Sequence, residues 1–185
     1  MAVNLNIQAG VDPNGVSSTT MTEYWSDCTF CPIARCATST QIIHQDDTVV
    51  AFPDIRPAAF RHYLVIPIEH IPTVQNLQVK TEDYSLVLCF TVSHMLNVGK
   101  SLLKRDAPQS EEHRFGFHIP PFNSIDHLHL HCLALPFRPS WKSRKYSSLA
   151  PAGGGFLRAE ELLEEIRTSM SLIDLNFEND TDPSY

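Results

Sequence analysis

Ser124-Ile125-Asp126-His127-Leu128-His129-Leu130-His131-Cys132-Leu133-Ala134-Leu135 sets three histidines at i, i+2 and i+4, with apolar residues between and after them. Alternation with period two reads as a strand. Successive strand side chains point to opposite faces. His127, His129 and His131 are therefore expected on one face, and Leu128, Leu130 and Cys132 on the other. Neighbouring histidines then lie about 6.5–7 Å apart, Cα to Cα. The apolar face should bury and hold the strand still. A row of imidazoles on such a strand costs stability unless it has a task. One task is metal binding, since imidazole is a common zinc ligand. The other is nucleophilic catalysis, in which a neutral ring nitrogen attacks an electrophile and its neighbours move protons. Side chains two and four residues apart on one strand diverge from a single ion. That favours His129 as a nucleophile, with His127 and His131 in support.

The rest of the chain sets bounds on this chemistry. Its 185 residues and 43% apolar content suit one domain with extensions at both ends. Residues 1–22 are rich in Asn, Ser, Thr and Gly without periodicity and read as a flexible tail. The domain is expected over 23–136, a packed C-terminal extension over 137–175, and a frayed acidic tail over 176–185. A net charge of −7 argues against broad contact with a phosphate backbone. No run reads as a membrane span, and the first twenty residues lack the pattern of a secretory signal. Five cysteines without such a signal suggest thiols and an intracellular, cytoplasmic or nuclear setting.

Cys28-Thr-Phe-Cys31 is ambiguous on its own: half a zinc site, a redox pair, or two small buried residues. Gln41–His44 and Thr48–Phe52 read as strands joined by the polar turn Gln45-Asp46-Asp47. Arg61–Pro67 is a third strand, and Phe115–Pro121 a strand running into a turn. Thr81 to Arg105 is the clearest helix. Thr81 can cap it, Glu82 and Asp83 suit its positive end, and Tyr84, Val87, Leu88, Met95, Val98 and Leu102 form an apolar stripe. His94 in this helix reads as structural. A last helix is expected from Glu160 to Leu172. Between them, Phe137 to Tyr146 is basic and aromatic, either a solvated loop with one packed Trp or a nucleic-acid contact.

His127-Leu-His129-Leu-His131-Cys-Leu resembles the histidine-triad motif of the HIT superfamily of nucleotide hydrolases and transferases. Residues 28–71 are similar to the N-terminal half of its HINT-type members. Gly116-Phe-His118-x-Pro-Pro-Phe resembles the branch typified by the third animal HINT protein, with aprataxin-like features. The resemblance implies an α+β fold, a central antiparallel sheet with a packed helix, often as a homodimer. It implies a purine nucleotide partner, AMP or an adenosine phosphoramidate, with no cofactor required. On the block Phe52-Pro-Asp54-Ile55, it implies that Phe52 and Ile55 line the base pocket and that Asp54 accepts the ribose hydroxyls, as an ionised carboxylate can. His118 stands where most relatives have Asn, over the nucleotide. The resemblance further assigns covalent nucleotidyl transfer to His129, phosphate contact to His131, orientation to His127 and His62, and leaving-group support to Ser124. In some relatives a structural zinc sits at the positions of Cys28, Cys31, His70 and His127. The activity so implied is hydrolysis of adenosine 5′-phosphoramidates to AMP. Alternatives are aprataxin-like removal of AMP from nucleic-acid 5′ ends, or nucleotide binding with little catalysis.

Overall fold

The computed structural model describes residues 27–74, 82–147 and 155–179. The expected tail over 1–22, the Thr81 cap and the Pro151–Gly154 part of the last loop lie outside them. Six strands form one antiparallel sheet: β1 His44–Gln45, β2 Val49–Pro53, β3 Ala59–Pro67, β4 His113–His118, β5 Leu130–Phe137 and β6 Phe156–Arg158. Their spatial order is β1-β2-β3-β5-β4-β6. The short helix α1 is Phe30–Ala34, the long helix α2 is Glu82–Asp106, and α3 is Ala159–Asn179. A 3₁₀ helix, Ser140–Tyr146, follows β5.

Helices α2 and α3 cover one face of the sheet. Leu88, Val92, Met95 and Leu103 of α2 meet Tyr63, Val65, Leu130, Cys132, Phe115 and Phe117 from the strands. Of the stripe expected on this helix, Leu88, Met95, Val98 and Leu102 are buried, whereas Val87 is 61% exposed; Val92 and Leu103 join the buried face instead. By length and hydropathy, Leu86–Asp106 could also cross a membrane, which the sequence reading did not anticipate. Here it is a core helix, half of it buried against the sheet and α3. Gly99 lets α2 approach closely, because a Cβ there would run into Cys132 Sγ.

The other face carries two smaller clusters with the histidines between them. Phe30, Ile33 and Ala34 of α1 pack on Val50, Phe52, Leu64 and Ile66. Tyr146 and Phe156 pack on Ala58, Ala59 and Leu133. The second cluster is built by residues after the triad strand, so the extension completes the site's wall.

The triad strand differs from its expected limits. Ladder pairing begins at Leu130, opposite Val65, and leaves His127 and His129 in an extended lead-in. Pro67, two residues beyond the last pair, has no N–H to extend the ladder, and its carbonyl takes the His127 ring N–H. The Leu128 N–H goes instead to the Ile71 carbonyl, at 2.6 Å. The last helix starts at Ala159, one residue before the expected Glu160, and runs to Asn179, past Leu172.

Candidate active site

His131 lies in register with Leu64 of β3 and Gly116 of β4. His62 and His118 are each displaced by two residues from those partners, so both are diagonal neighbours of His131 on the same face. Diagonal cross-strand rings are within reach of one another. The ring centroids are 5.1 Å apart for His62–His131 and 4.8 Å for His118–His131. His129 follows at 5.0 Å from His131. All five histidines, His62, His118, His127, His129 and His131, are buried.

Backbone groups decide which nitrogen of each ring carries the proton. His129 Nδ1 lies 2.6 Å from the His127 carbonyl, so Nδ1–H donates and the lone pair stays on Nε2. The Ala58 N–H donates to His62 Nδ1 at 3.1 Å, which places the His62 proton on Nε2. That Nε2–H donates to His131 Nδ1 at 2.9 Å, with Asp54 Oδ2 also facing it at 3.4 Å. His131 therefore carries its own proton on Nε2, which is buried and has no partner. His118 Nδ1–H donates to the Gly155 carbonyl at 3.0 Å and leaves a buried, unpartnered lone pair on Nε2. The cluster thus presents one free lone pair at His129, one N–H donor at His131 and one acceptor at His118.

Burial keeps these rings neutral. It pushes His62, His118 and His127 down to about 4, although Asp54, the Gly155 carbonyl and the Pro67 carbonyl respectively oppose it. Burial also lowers His129, and lowers His131 well below the ordinary imidazole value. A neutral ring is the form in which a nitrogen lone pair can attack.

His127 works differently from its neighbours. Its Nε2–H donates to the Pro67 carbonyl at 3.0 Å, and its Nδ1 faces Cys28 Sγ at 3.4 Å and Cys31 Sγ at 3.7 Å. Cys31 Sγ is also 3.1 Å from His70 Nδ1. The donor atoms of Cys28, Cys31, His70 and His127 all lie within 4.8 Å of one another. Two sulfurs and two imidazoles in this arrangement fit a tetrahedral zinc, and the Pro67 carbonyl holds His127 in the ligating tautomer. Burial and the Cys28 thiol push the Cys31 thiol up to about 11. A bound cation would reverse that. A second group, Asp54, His62 and His131, is equally compact. It does not fit a metal, because the Ala58 N–H fixes the proton on His62 Nε2. His127 orients His129 through its backbone carbonyl, not its ring.

The remaining expected residues fall in three places. Asp54 stands at the mouth, where Oδ1 accepts the Arg56 N–H at 2.7 Å and Oδ2 faces His62. Ile55 beside it is 95% exposed, whereas Phe52 is buried in the core under α1 and touches Phe30 at 5.6 Å. Ser124 is exposed on the loop before the triad, and no hydrogen bond to the triad is found among the described residues. The sequence reading did not single out Phe30, Tyr146 or Phe156. Phe30 stands edge-on to His129 at 5.4 Å. Tyr146 meets His62, His118 and His131 at 5.7, 5.0 and 5.4 Å, and Phe156 meets His118 at 5.3 Å. The only hint of Tyr146 in the sequence is its place at the end of the basic, aromatic segment.

A six-stranded antiparallel sheet carrying a histidine triad and a buried imidazole relay defines a class of nucleotide-handling enzymes, and the comparisons agree. A sequence profile described as "Scavenger mRNA decapping enzyme C-term binding" matches residues 27–147. The chain is 62% identical over 146 residues to the bifunctional adenosine 5′-phosphosulfate phosphorylase/adenylylsulfatase HINT4 of Arabidopsis thaliana, covering 79% of this chain and 95% of that protein. It is 39% identical over 148 residues to the adenosine 5′-monophosphoramidase HINT3 of Xenopus tropicalis, covering 79% and 91%. A histidine triad protein from Clostridium difficile has the same fold, with a TM-score of 0.51 and 29% identity over 60% of this chain and 92% of that one. The chain belongs to the histidine-triad superfamily, as a hydrolase of its HINT type.

Proposed function

We propose that this enzyme breaks the bond between the α-phosphorus of an adenylyl group and its leaving group, through a covalent adenylyl-histidine on His129. The leaving group is the nitrogen of an adenosine 5′-phosphoramidate or the sulfate of adenosine 5′-phosphosulfate, the substrates named for its relatives. The observation that carries this reading is the 2.6 Å hydrogen bond from His129 Nδ1–H to the His127 carbonyl. It leaves the Nε2 lone pair free, in a ring that burial keeps neutral.

The nucleoside enters at the mouth, where Ile55 offers an apolar face and Asp54 a carboxylate for the ribose hydroxyls. The phosphate seats between His129 and His131. His129 Nε2 attacks phosphorus, and the His131 Nε2–H donates to the charge that grows on the phosphoryl or departing atom. His62 holds His131 in the donating tautomer, and Ala58 holds His62. Water then cleaves the adenylyl-histidine to release AMP. Zinc is proposed at Cys28, Cys31, His70 and His127 as a structural tie that fixes the lead-in to the triad, with no step of its own.

Hydrolysis of adenosine 5′-phosphoramidate tests this, with mass spectrometry for an AMP adduct. Wild type is expected to turn over and to show the adduct, and His129→Ala to lose both, with a rate at least about 10³-fold lower. Turnover surviving in His129→Ala would remove the covalent step.

A further inference from the structure

The 3₁₀ helix Ser140–Tyr146, whose Tyr146 packs on the site's histidines, carries three cations: Lys142, Arg144 and Lys145. Lys142 is committed, with Nζ donating to the Pro57 carbonyl at 2.8 Å. Lys145 is exposed, and among the described residues no carboxylate pairs with it. Its ammonium lies 5.7 Å from the ring centroid of Tyr146. That ring in turn stands against His62, His118 and His131. The charge of Lys145 reaches His62, His118, His129 and His131, and at each it favours the neutral imidazole. The ammonium thus sits on the extension beside the ring that packs on three of the site's histidines, and the steps derived above do not use it.

We propose that Lys145 is the cation that receives a tetrahedral oxyanion leaving group, and so selects adenylyl compounds joined to sulfate or phosphate over those joined to a neutral amine. The inference rests on the adenylyl-transfer reading above. Its chemistry follows from what each leaving group needs. When His129 Nε2 attacks adenosine 5′-phosphosulfate, the N–P bond forms from the imidazole lone pair. The P–O bond breaks, and its electron pair leaves on sulfate. No proton moves in this step, and the positive charge left on the imidazole is shared by Nδ1–H with the His127 carbonyl. Sulfate departs as a stable dianion, so it needs a cation and not an acid. Adenosine 5′-phosphoramidate instead takes a proton on its nitrogen, from the His131 Nε2–H, as the P–N bond breaks; the neutral amine that leaves gains nothing from the same ammonium.

The test compares kcat/KM for adenosine 5′-phosphosulfate, ADP and adenosine 5′-phosphoramidate in wild type, Lys145→Ala and Lys145→Arg. Lys145→Ala is expected to lower the phosphosulfate-to-phosphoramidate ratio about tenfold or more, the scale of one charge-assisted hydrogen bond. Lys145→Arg should keep most of the ratio. Lys100→Gln removes a like charge on α2, where it pairs with Glu160, and should leave the ratio as it is. A matching fall for ADP extends the subsite to phosphate, and a fall for phosphosulfate alone confines it to sulfate. An equal loss on all three substrates would place Lys145 on the shared adenylyl phosphate and overturn the proposal, as would no loss at all. If wild type turned over none of them, the adenylyl-transfer reading would fall. The present inference would then be decided by equilibrium affinity in a His129→Ala background, where Lys145→Ala should weaken adenosine 5′-phosphosulfate about tenfold more than the phosphoramidate. Equal affinities would sink it.

Discussion

Two unpartnered nitrogens, His118 Nε2 and His131 Nε2, lie on rings 4.8 Å apart and carry opposite polarity, one a lone pair and the other an N–H. A phosphate oxygen can satisfy the donor, and a protonated group or a water the acceptor. Holding these imidazoles neutral also makes stability depend on pH. Burial sets His62 and His118 at about 4, against an ordinary value of 6.5. Between those values the unfolded chain binds protons that the folded chain refuses. Their contribution is therefore full above about pH 6.5 and is lost as pH falls toward 4. Thermal melting without nucleotide should decline steadily from pH 7 to 4.5, and His118→Asn should flatten the decline. A melting temperature that stays level over this range in wild type would mean that the two rings take up protons while folded. At this scale, the histidine spacing pointed to the residues that the fold gathers, His127, His129 and His131, but not to their tautomers. The groups that set them are the Ala58 N–H and the His127 and Gly155 carbonyls, which are main-chain atoms with no signature in side-chain pattern.

Among the elements, two glycines hold the site together. Gly116 of β4 lies opposite His131, and a Cβ there would meet the Leu157 carbonyl and the Phe156 ring. Gly116→Ala should push β6 off β4 and loosen Phe156 over His118, lowering kcat along with stability. Gly99 is the matching point on the other face. Gly99→Ala should cost about 1–3 kcal/mol through overpacking against Cys132. The double variant Gly99→Ala/Cys132→Ala should recover part of that loss, which a thermodynamic cycle measures. Strictly additive losses would show that the helix relaxes elsewhere. The α2 helix was legible to within a residue at its described end, Asp106 against Arg105. Its apolar stripe was local information. The start of β5 was not legible, because it depends on where β3 stops pairing with it, at Val65, some sixty-five residues earlier. The role of the C-terminal extension was equally hidden. Tyr146 and Phe156 reach the triad only through chain reversals that leave no periodic trace.

For the whole molecule, the question is what fixes α1 against the sheet. A helix of five residues has no stability of its own. Yet Phe30 from that helix stands edge-on to both His127 and His129, at 6.0 and 5.4 Å. Apolar contact with Val50, Phe52, Leu64 and Ile66 supplies part of the anchorage. Cys28, Cys31, His70 and His127 supply a crosslink if they hold zinc, joining α1, the segment after β3 and the lead-in to the triad. Such a tie acts on His129, because the carbonyl of His127 is what orients that ring. The purified protein is expected to carry close to one zinc per chain. Stripping it with a strong chelator should lower the melting temperature by several degrees, since about 1 kcal/mol moves a chain of this size by roughly 2–4 °C. Cys31→Ser should abolish metal content and reproduce that loss. It should also lower kcat more than it raises KM, because the damage reaches His129 through the backbone and leaves Asp54 and Ile55 in place. A protein that emerges without metal, and whose melting ignores the chelator, would show the four side chains to be a hydrogen-bonded cluster of thiols and imidazoles. The anchorage of α1 would then rest on Phe30 and its apolar neighbours alone, and Phe30→Ala would be the variant that uncouples α1 from His129.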